Sequence, residues 1–212
     1  GLPFTQINLG GMDDRSILSG HSYTYNSAQP GLIIRKLVEA GDSRCIIYFD
    51  ELDKTTTRNG INEIHNILMH VTDPNTNTQY SDAFFGEITF NLEKVLFVFS
   101  YNDPEKIDDI LLDRMEKIEV KPYTLEDKKI IFKNYLVKEV SDDINIGNNF
   151  VKFSDESIEY LIENYTSEAG VRELKRKIEA IYSKINLDRI FGRNLFSSLI
   201  KPEYIEMSTE II

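Results

Sequence analysis

A short apolar run that ends in two adjacent carboxylates constrains the fold of this chain more than any other feature. Residues Cys45 to Phe49 are apolar, and several are β-branched or aromatic, which is typical of a strand buried on both faces of a parallel sheet. Asp50 and Glu51 follow at once. Because open α/β sheets bind ligands at the carboxyl ends of their strands, this stretch predicts an α/β fold with a site at that end.

Two carboxylates at the end of a strand suit chemistry on phosphates. We expect Asp50 to hold a hydrated Mg²⁺ that bridges phosphates, and Glu51 to orient a water for attack on the terminal phosphate. An isolated Asp-Glu pair is more often only a charged turn after a strand. The unbroken apolar run ahead of Asp50 favours the phosphate interpretation.

A second apolar run, Val95 to Phe99, predicts another buried strand, and a helical pattern over Asn62 to Val71 lies between the two. Strands alternating with helices indicate a doubly wound parallel sheet. If the two strands are neighbours, Asn102 reaches the same water or phosphate as Asp50 and Glu51. The spacing is equally consistent with a turn asparagine ahead of Asp103-Pro104.

The remaining patterns divide the chain at Lys121-Pro122-Tyr123. Before this point, strands are predicted over Phe4 to Leu9 and Lys117 to Val120, and a helix over Leu32 to Ala40. Beyond it the pattern is helical, with helix-capping residues at Thr124 and Ser154 and an apolar stripe from Val171 to Ile185. We therefore predict an α/β subdomain over 1–121, an α-helical lid subdomain over 122–190 and a C-terminal extension of the lid over 191–212.

Composition bears on several classes of function. The 212 residues carry a formal net charge of −11, which argues weakly against non-specific nucleic-acid binding and leaves a local basic patch open, so that DNA binding is possible but not indicated. The three histidines have no partner cysteines, so a zinc site is not expected. The sequence has neither an apolar run of membrane-spanning length nor a signal-peptide pattern. With the single Cys45 inside a predicted strand, these features predict an intracellular, reducing compartment, either cytoplasm or mitochondrial matrix, and no membrane partner.

Most of the chain, from Gly1 to about Ile185, resembles the ATPase module of the Lon family of ATP-dependent proteases, within the AAA+ superfamily. Two of the matching segments are specific to Lon among AAA+ proteins, Tyr165 to Arg172 and Leu111 to Glu116. The other matching segments are Gly1 to Phe4, Leu9 to Gly11, Gly20-His21, Thr24-Tyr25, Pro30-Gly31, Asp50 to Lys54 and Asn91 to Phe97.

The resemblance implies a role for each matching residue. Asp50 is expected to be the Walker B aspartate that supports Mg²⁺, and Glu51 the catalytic glutamate that polarises water. Asn102 matches the sensor-1 asparagine near the γ-phosphate of ATP. Arg114 matches the arginine finger that is presented to the nucleotide of a neighbouring subunit, and Arg172 matches the sensor-2 arginine of the lid.

The resemblance also implies partners. Tyr25 matches the aromatic residue of a pore loop that grips an unfolded polypeptide, and a second pore loop is expected over Thr55 to Ile61. The intact protein is then expected to form a homo-oligomeric ring, a hexamer, that uses Mg-ATP. The residue after Tyr25 is Asn26, where the family usually has an aliphatic residue, so a weaker grip on apolar segments is expected.

Two family features are missing from the sequence. The chain contains no Gly-Lys pair, so the phosphate-binding loop G-x-x-x-x-G-K-[ST] is absent. The Ser-Lys peptidase domain is absent too. We expect the chain to be a fragment that begins after the phosphate-binding loop, is inactive by itself, and exposes an apolar strip where a strand and helix are missing.

Three functions fit these observations. The leading one is the ATPase and unfoldase motor module of a Lon-like ATP-dependent protease. An ATPase-inactive AAA+ scaffold or binding module is the alternative, which the sequence upstream of Gly1 would distinguish. An AAA+ protein acting on DNA is a third, against which the Lon-specific segments and the acidic charge both count.

Overall fold

The computed structural model describes residues 1–22, 24, 28–57, 60–145, 151–191, 199–200, 202 and 205. The chain divides into two compact units, Gly1–Ile118 and Glu119–Ile212. The boundaries predicted from the sequence, at 121/122 and 190/191, stay predictions. Each unit has a hydrophobic core of its own, and the two are described separately below.

The first unit is built on a three-stranded parallel sheet. Its strands are β1 (Phe4–Asn8), β2 (Ile46–Asp50) and β5 (Leu96–Phe99), in the order β1-β2-β5. Asn8 is paired with Asp50, and Phe49 with Phe99. The central strand β2 therefore ends in register with both neighbours, and the predicted adjacency of the two apolar runs is confirmed.

The side chains of β2 explain why it is the central strand. Cys45, Ile47 and Phe49 are completely buried, and the Phe49 ring stacks on Phe99 with ring centroids 5.0 Å apart. Such an aromatic pair between neighbouring strands contributes about 0.5–1.5 kcal/mol beyond the area it buries. Ile46 and Tyr48, on the other face, are only partly buried. The prediction that both faces of this strand are buried is therefore correct for one face and only partly so for the other.

Helices and a small hairpin surround this sheet. The other elements of the first unit are α1 (Ser16–Ser19), α2 (Leu32–Ala40), α3 (Glu63–Thr72), β3 (Tyr80–Ser81), β4 (Thr89–Phe90) and α4 (Asp109–Leu112), with short 3-10 helices over Leu52–Lys54, Asn77–Gln79 and Pro104–Lys106. The apolar face of α2 carries the buried Ile33 and Ile34, and Gly41 ends the helix in a left-handed conformation.

The strand predicted over Lys117 to Val120 is wrong. These residues form no strand, and the side chains of Ile118 and Val120 are 84% and 89% exposed. A strand needs a neighbour to receive its backbone hydrogen bonds, and no described strand pairs with this segment. Two apolar side chains of β5, Leu96 and Val98, are exposed as well, on the face of the sheet opposite the buried Phe49.

The second unit is mainly helical. It contains α5 (Leu125–Ile131), a π-helical turn (Phe132–Leu136), α6 (Val137–Asp143), β6 (Lys152–Phe153), α7 (Asp155–Tyr165), α8 (Arg172–Ile190) and β7 (Leu199–Ile200). The predicted capping box is present, since Thr124 and Asp127 satisfy each other's backbone N–H groups. Ser154 caps α7 as predicted. Among the described residues, no helix is both long enough and apolar enough to cross a membrane.

Candidate functional site

The carboxylate of Asp50 lies at the centre of the hydrogen bonds at the carboxyl end of the sheet. Ser100 Oγ donates to Asp50 Oδ1 at 2.5 Å, and the Tyr48 hydroxyl donates to the same oxygen at 3.1 Å. Gln6 Nε2 lies 3.4 Å from Asp50 Oδ2. Because residues of β1 and β2 and the residue directly after β5 contact this side chain, its orientation is fixed by the end of the sheet.

Ser100 also holds the turn that follows Asp50. Its Oγ accepts a hydrogen bond from the Glu51 N–H at 3.3 Å, and its carbonyl accepts one from the Leu52 N–H at 3.0 Å. Its own N–H donates to the carbonyl of Phe49 at 2.9 Å. One residue at the end of β5 therefore sets both the Asp50 carboxylate and the backbone of Glu51.

Glu51 has a left-handed backbone conformation, with φ 60° and ψ 46°. A residue with a Cβ seldom adopts this conformation, which costs about 1–2 kcal/mol. The two hydrogen bonds from the backbone of residues 51 and 52 to Ser100 stabilise it. The turn carries the Glu51 carboxylate over Gly10, where an added Cβ would collide with Oε2. A glycine at position 10 thus leaves the space that the carboxylate occupies.

The donor set at this edge fits a magnesium ion. Asp53 is 3% exposed, and neither of its carboxylate oxygens has a hydrogen-bond partner among the described residues. The nearby cation is Lys54, whose Nζ is 3.6 Å from Asp53 Oδ2. With Asp50 and Glu51, this edge has an excess of negative charge.

Mg²⁺ in nucleotide sites uses one or two carboxylates together with phosphates, rather than a cage of protein ligands. Within the described part of the chain, no cluster of three or more histidine, cysteine or acidic side chains forms such a cage. Asp50 therefore suits Mg²⁺ that arrives with a nucleotide.

Asn102 lies three residues beyond β5, at the same edge of the sheet, and its side chain is exposed. The next residue, Asp103, accepts a hydrogen bond from the Glu105 N–H and forms an ion pair with Lys106 at 3.1 Å. Hydrogen bonding to Lys106 is the main reason why the pKa of Asp103 lies below its ordinary value. The contact to Asp50 is made by Ser100, two residues before Asn102.

Arg114 lies just beyond α4 and is bound at the C-terminal end of α3. Its Nη1 donates to the Met69 carbonyl at 2.5 Å and lies 3.1 Å from Asp73 Oδ2. The Arg114 side chain is 32% exposed. The arginine is thus partly anchored within its own unit and partly accessible to solvent.

Arg172 is the first residue of α8 in the second unit, and its side chain is exposed. The carboxylate of Glu168 caps this helix by accepting hydrogen bonds from the N–H groups of Glu173 and Leu174, at 2.5 and 3.0 Å. The buried Lys128 donates to the Glu168 carbonyl at 2.6 Å. This arrangement gives a physical reason for the segment Tyr165 to Arg172, since it fixes the start of the helix that carries Arg172.

An open groove of about 410 Å³ lies beside Arg172 within the second unit. Its lining combines Leu136 and Val171 with the cationic Arg172 and Lys175 and the acidic Glu168. Lys175 is paired with Glu139 at 2.8 Å, so Arg172 is the lining cation that forms no ion pair among the described residues.

The predicted substrate-gripping residues Tyr25 and Asn26 lie outside the described residues. The ends of their loop are described, and Asp82 holds them. The Gly31 N–H donates to Asp82 Oδ2 at 2.8 Å, and a Cβ on Gly20 would collide with Asp82 Oδ1. Burial raises the pKa of Asp82, while hydrogen bonds from the backbone of Phe84 and Gly31 oppose this shift.

Thr55, at the start of the predicted second loop, is bound to a buried histidine. His65 Nε2 lies 3.1 Å from Thr55 Oγ1, and the Asp108 N–H donates to His65 Nδ1 at 3.4 Å. Nδ1 is therefore the acceptor, and Nε2 carries the proton that is donated to Thr55. Burial lowers the pKa of His65, which favours this neutral form. Residues 58 and 59 of the loop lie outside the described residues.

Comparison with known proteins identifies the family. The family model of ATPases associated with various cellular activities (AAA) matches residues 1–123. The chain belongs to the AAA family of ATPases. A second model, that of the Lon protease AAA+ ATPase lid domain, matches residues 143–192. The AAA module of this chain is therefore of the Lon type.

The relatives that share high sequence identity with this chain are named Lon proteases or Lon protease homologs. The chain is 48% identical over 202 residues to a Lon protease homolog of Acanthamoeba polyphaga mimivirus, covering 95% of this chain and 20% of the relative. It is 41% identical over 188 residues to the Lon protease of Mycoplasma pneumoniae, covering 88% and 23%. The third, Lon protease homolog 3, mitochondrial, of Arabidopsis thaliana, is 39% identical over 187 residues, covering 88% and 20%. The AAA module thus spans about a fifth of the length of these relatives.

Sequence reasoning missed the residues that position the site in this AAA module. Ser100 directly follows an apolar run, as Asp50 does, and this position in the sequence could have indicated that it lies at the same edge of the sheet. Glu168 lies in the segment Tyr165 to Arg172, which matched the Lon family, but the sequence alone gave no structural role for this residue. Asp73 and Asp82 had no signal, because their partners are 41 and 51 residues away in sequence.

The left-handed backbone at Glu51 can be tested by comparing Glu51→Asn with Glu51→Gln. Both variants replace the carboxylate by an amide, but asparagine tolerates this conformation far better than glutamine. We expect the asparagine variant to be more stable by about 1 kcal/mol in urea unfolding. The same two variants at Glu93, where φ is not positive, are the control and should not show this difference. Equal stability of the two Glu51 variants would show that the backbone there is unstrained.

The buried His65 predicts a loss of stability in mild acid. Its pKa is lowered in the fold, so the unfolded chain takes up a proton first as the pH falls below 6.5. The stability that neutral His65 contributes is therefore present above this value and decreases as the pH falls from there towards the lowered pKa. Urea unfolding followed by circular dichroism from about pH 8 to about pH 5 should show the decrease. It should be absent in His65→Gln and retained in His70→Gln, an exposed control on the same helix.

Proposed function

We propose that this chain is the ATPase motor module of a Lon-type ATP-dependent protease, in which Mg-ATP hydrolysis in a ring drives translocation of an unfolded polypeptide. One observation carries the proposal. Asp50 and Glu51 lie together at the carboxyl end of the central parallel strand, and Ser100 of the neighbouring strand fixes both. This is the edge at which α/β sheets bind phosphate ligands.

Asp50 and Glu51 have different roles in this proposal. Asp50, held by two hydroxyl donors, supports the Mg²⁺ of the nucleotide; when bound, the ion neutralises charge on the phosphates. Glu51 accepts a proton from the attacking water and orients it. The tight turn at Glu51 places its carboxylate over Gly10, while Asp50 is held by Ser100 and Tyr48, so that one residue binds the metal and the other acts on water.

The other site residues complete the cycle. Asn102, exposed at the same edge, contacts the attacking water or the γ-phosphate. Arg114 is presented to the nucleotide of the next subunit, where its charge stabilises the transition state. A residue that acts in trans requires assembly, so this part of the proposal includes a homo-oligomeric ring, taken to be a hexamer.

The second unit acts as the lid. Arg172, fixed at the start of α8 by Glu168, senses whether nucleotide is bound. The loop between Gly20 and Gly31 carries Tyr25 and Asn26 to the substrate chain, with Asp82 at its base. The predicted boundaries at 121/122 and 190/191 and an intracellular, reducing compartment belong to the same proposal.

The test is Mg-ATP turnover of the chain extended upstream through a phosphate-binding loop, because the 212 residues contain no Gly-Lys pair. Glu51→Gln should lower kcat by about 100-fold or more, since it removes the group that takes the proton from water. Glu93→Gln, an exposed residue of the same unit, is the control and should leave kcat unchanged. Unchanged turnover in Glu51→Gln, or an assembled extended protein that hydrolyses no ATP, would contradict the motor proposal and favour a scaffold.

A further inference from the structure

The side chain of Arg114 has a defined binding place on its own subunit. Its Nη1 donates to the Met69 carbonyl and pairs with Asp73 Oδ2, while the side chain remains 32% exposed. Both contacts involve the same guanidinium nitrogen. In the described part of the chain, no hydrogen bond or ion pair engages the other guanidinium N–H groups, so they are available to a ligand.

This place is the C-terminal end of α3. Met69 is one of the last four residues of the helix, whose carbonyls lack the usual backbone partner, and Asp73 is its C-cap. The Met69 carbonyl also accepts a long hydrogen bond, 3.4 Å, from Thr72 Oγ1. The helix dipole places partial negative charge at this end, and the Asp73 carboxylate adds to it. An arginine is therefore attracted here both by a carbonyl that can accept a further hydrogen bond and by charge.

The two carboxylate oxygens of Asp73 have different partners. Oδ1 accepts hydrogen bonds from the Asn75 N–H at 2.9 Å and from Asn75 Nδ2 at 3.1 Å, which closes the turn after the helix. Oδ2 faces Arg114. The backbone hydrogen bond from Asn75 is the main reason why the pKa of Asp73 is lowered, and Arg114 lowers it further, so the carboxylate is ionised at neutral pH.

We propose that Asp73 is the positioning residue for Arg114, holding its guanidinium in the orientation in which it meets the nucleotide of the next subunit. The inference rests on the proposed function and adds a residue to it. Arg114 follows a helix of only four residues, so without Asp73 its long side chain has many rotamers to lose on reaching the phosphate. Asp73 removes most of that entropy in advance, which is the usual benefit of an oriented catalytic group.

The test is Asp73→Asn in the upstream-extended protein, measured on isolated rings. Asparagine keeps an oxygen for the Asn75 N–H, so the turn is retained, and places an amide nitrogen, which cannot accept a hydrogen bond, opposite Arg114. We expect kcat to fall by about tenfold with the KM for ATP within about twofold, since the arginine acts on the transition state. Asp42→Asn is the matched control because Asp42 forms the same kind of turn, accepting from the Arg44 N–H at 2.8 Å, without an arginine partner.

The double variant distinguishes positioning from a general structural effect. If Asp73 acts through Arg114, Asp73→Asn combined with Arg114→Ala should be no slower than Arg114→Ala alone. Normal turnover in Asp73→Asn while Arg114→Ala is slow would overturn this inference and leave the proposed function standing. Additive losses in the double variant would also overturn it. Normal turnover in Arg114→Ala itself would instead contradict the proposed role of the arginine, and the inference with it.

Discussion

The parallel pairing of β2 with β5 is the constraint on which the rest of the first unit depends. It sets Phe99 beside Phe49 in the core, and one residue further it brings Ser100 to Asp50. The same serine binds the backbone of Glu51 and Leu52, so the strained turn is held by the sheet. A shift of the register would therefore disturb the core and separate the Asp50 carboxylate and the Glu51 backbone from their common partner, Ser100.

Helix α3 connects the two ends of the proposed mechanism within one subunit. At its N-terminal end, His65 contacts Thr55, four residues after Glu51. At its C-terminal end, Met69 and Asp73 hold Arg114. A helix of ten residues is about 15 Å long. In the proposed mechanism, the segment that follows Glu51 and the arginine offered to a neighbour therefore both contact the same helix.

The sequence was sufficient to predict the main elements of the fold and the position of Asp50 and Glu51 at the carboxyl end of the central strand. An apolar run followed by Asp50 and Glu51 is a local pattern, and the capping residues Thr124 and Ser154 act within one helical turn, so both were predictable. The strand expected at Lys117 to Val120 was wrong because strand formation depends on a neighbour, which a local pattern does not specify. The positioning contacts of Asp73 and Asp82 join distant segments and needed the three-dimensional structure.

Mixed rings test the central claim, that one site is built from Glu51 of one subunit and Arg114 of the next. Glu51→Gln and Arg114→Ala should each be nearly inactive as uniform rings of the upstream-extended protein. When they are mixed in equal amounts, about a quarter of the interfaces combine an intact Glu51 with an intact Arg114. ATP turnover should then rise well above that of either variant alone. No rise at any mixing ratio, in rings shown to contain both variants, would contradict a site shared between subunits.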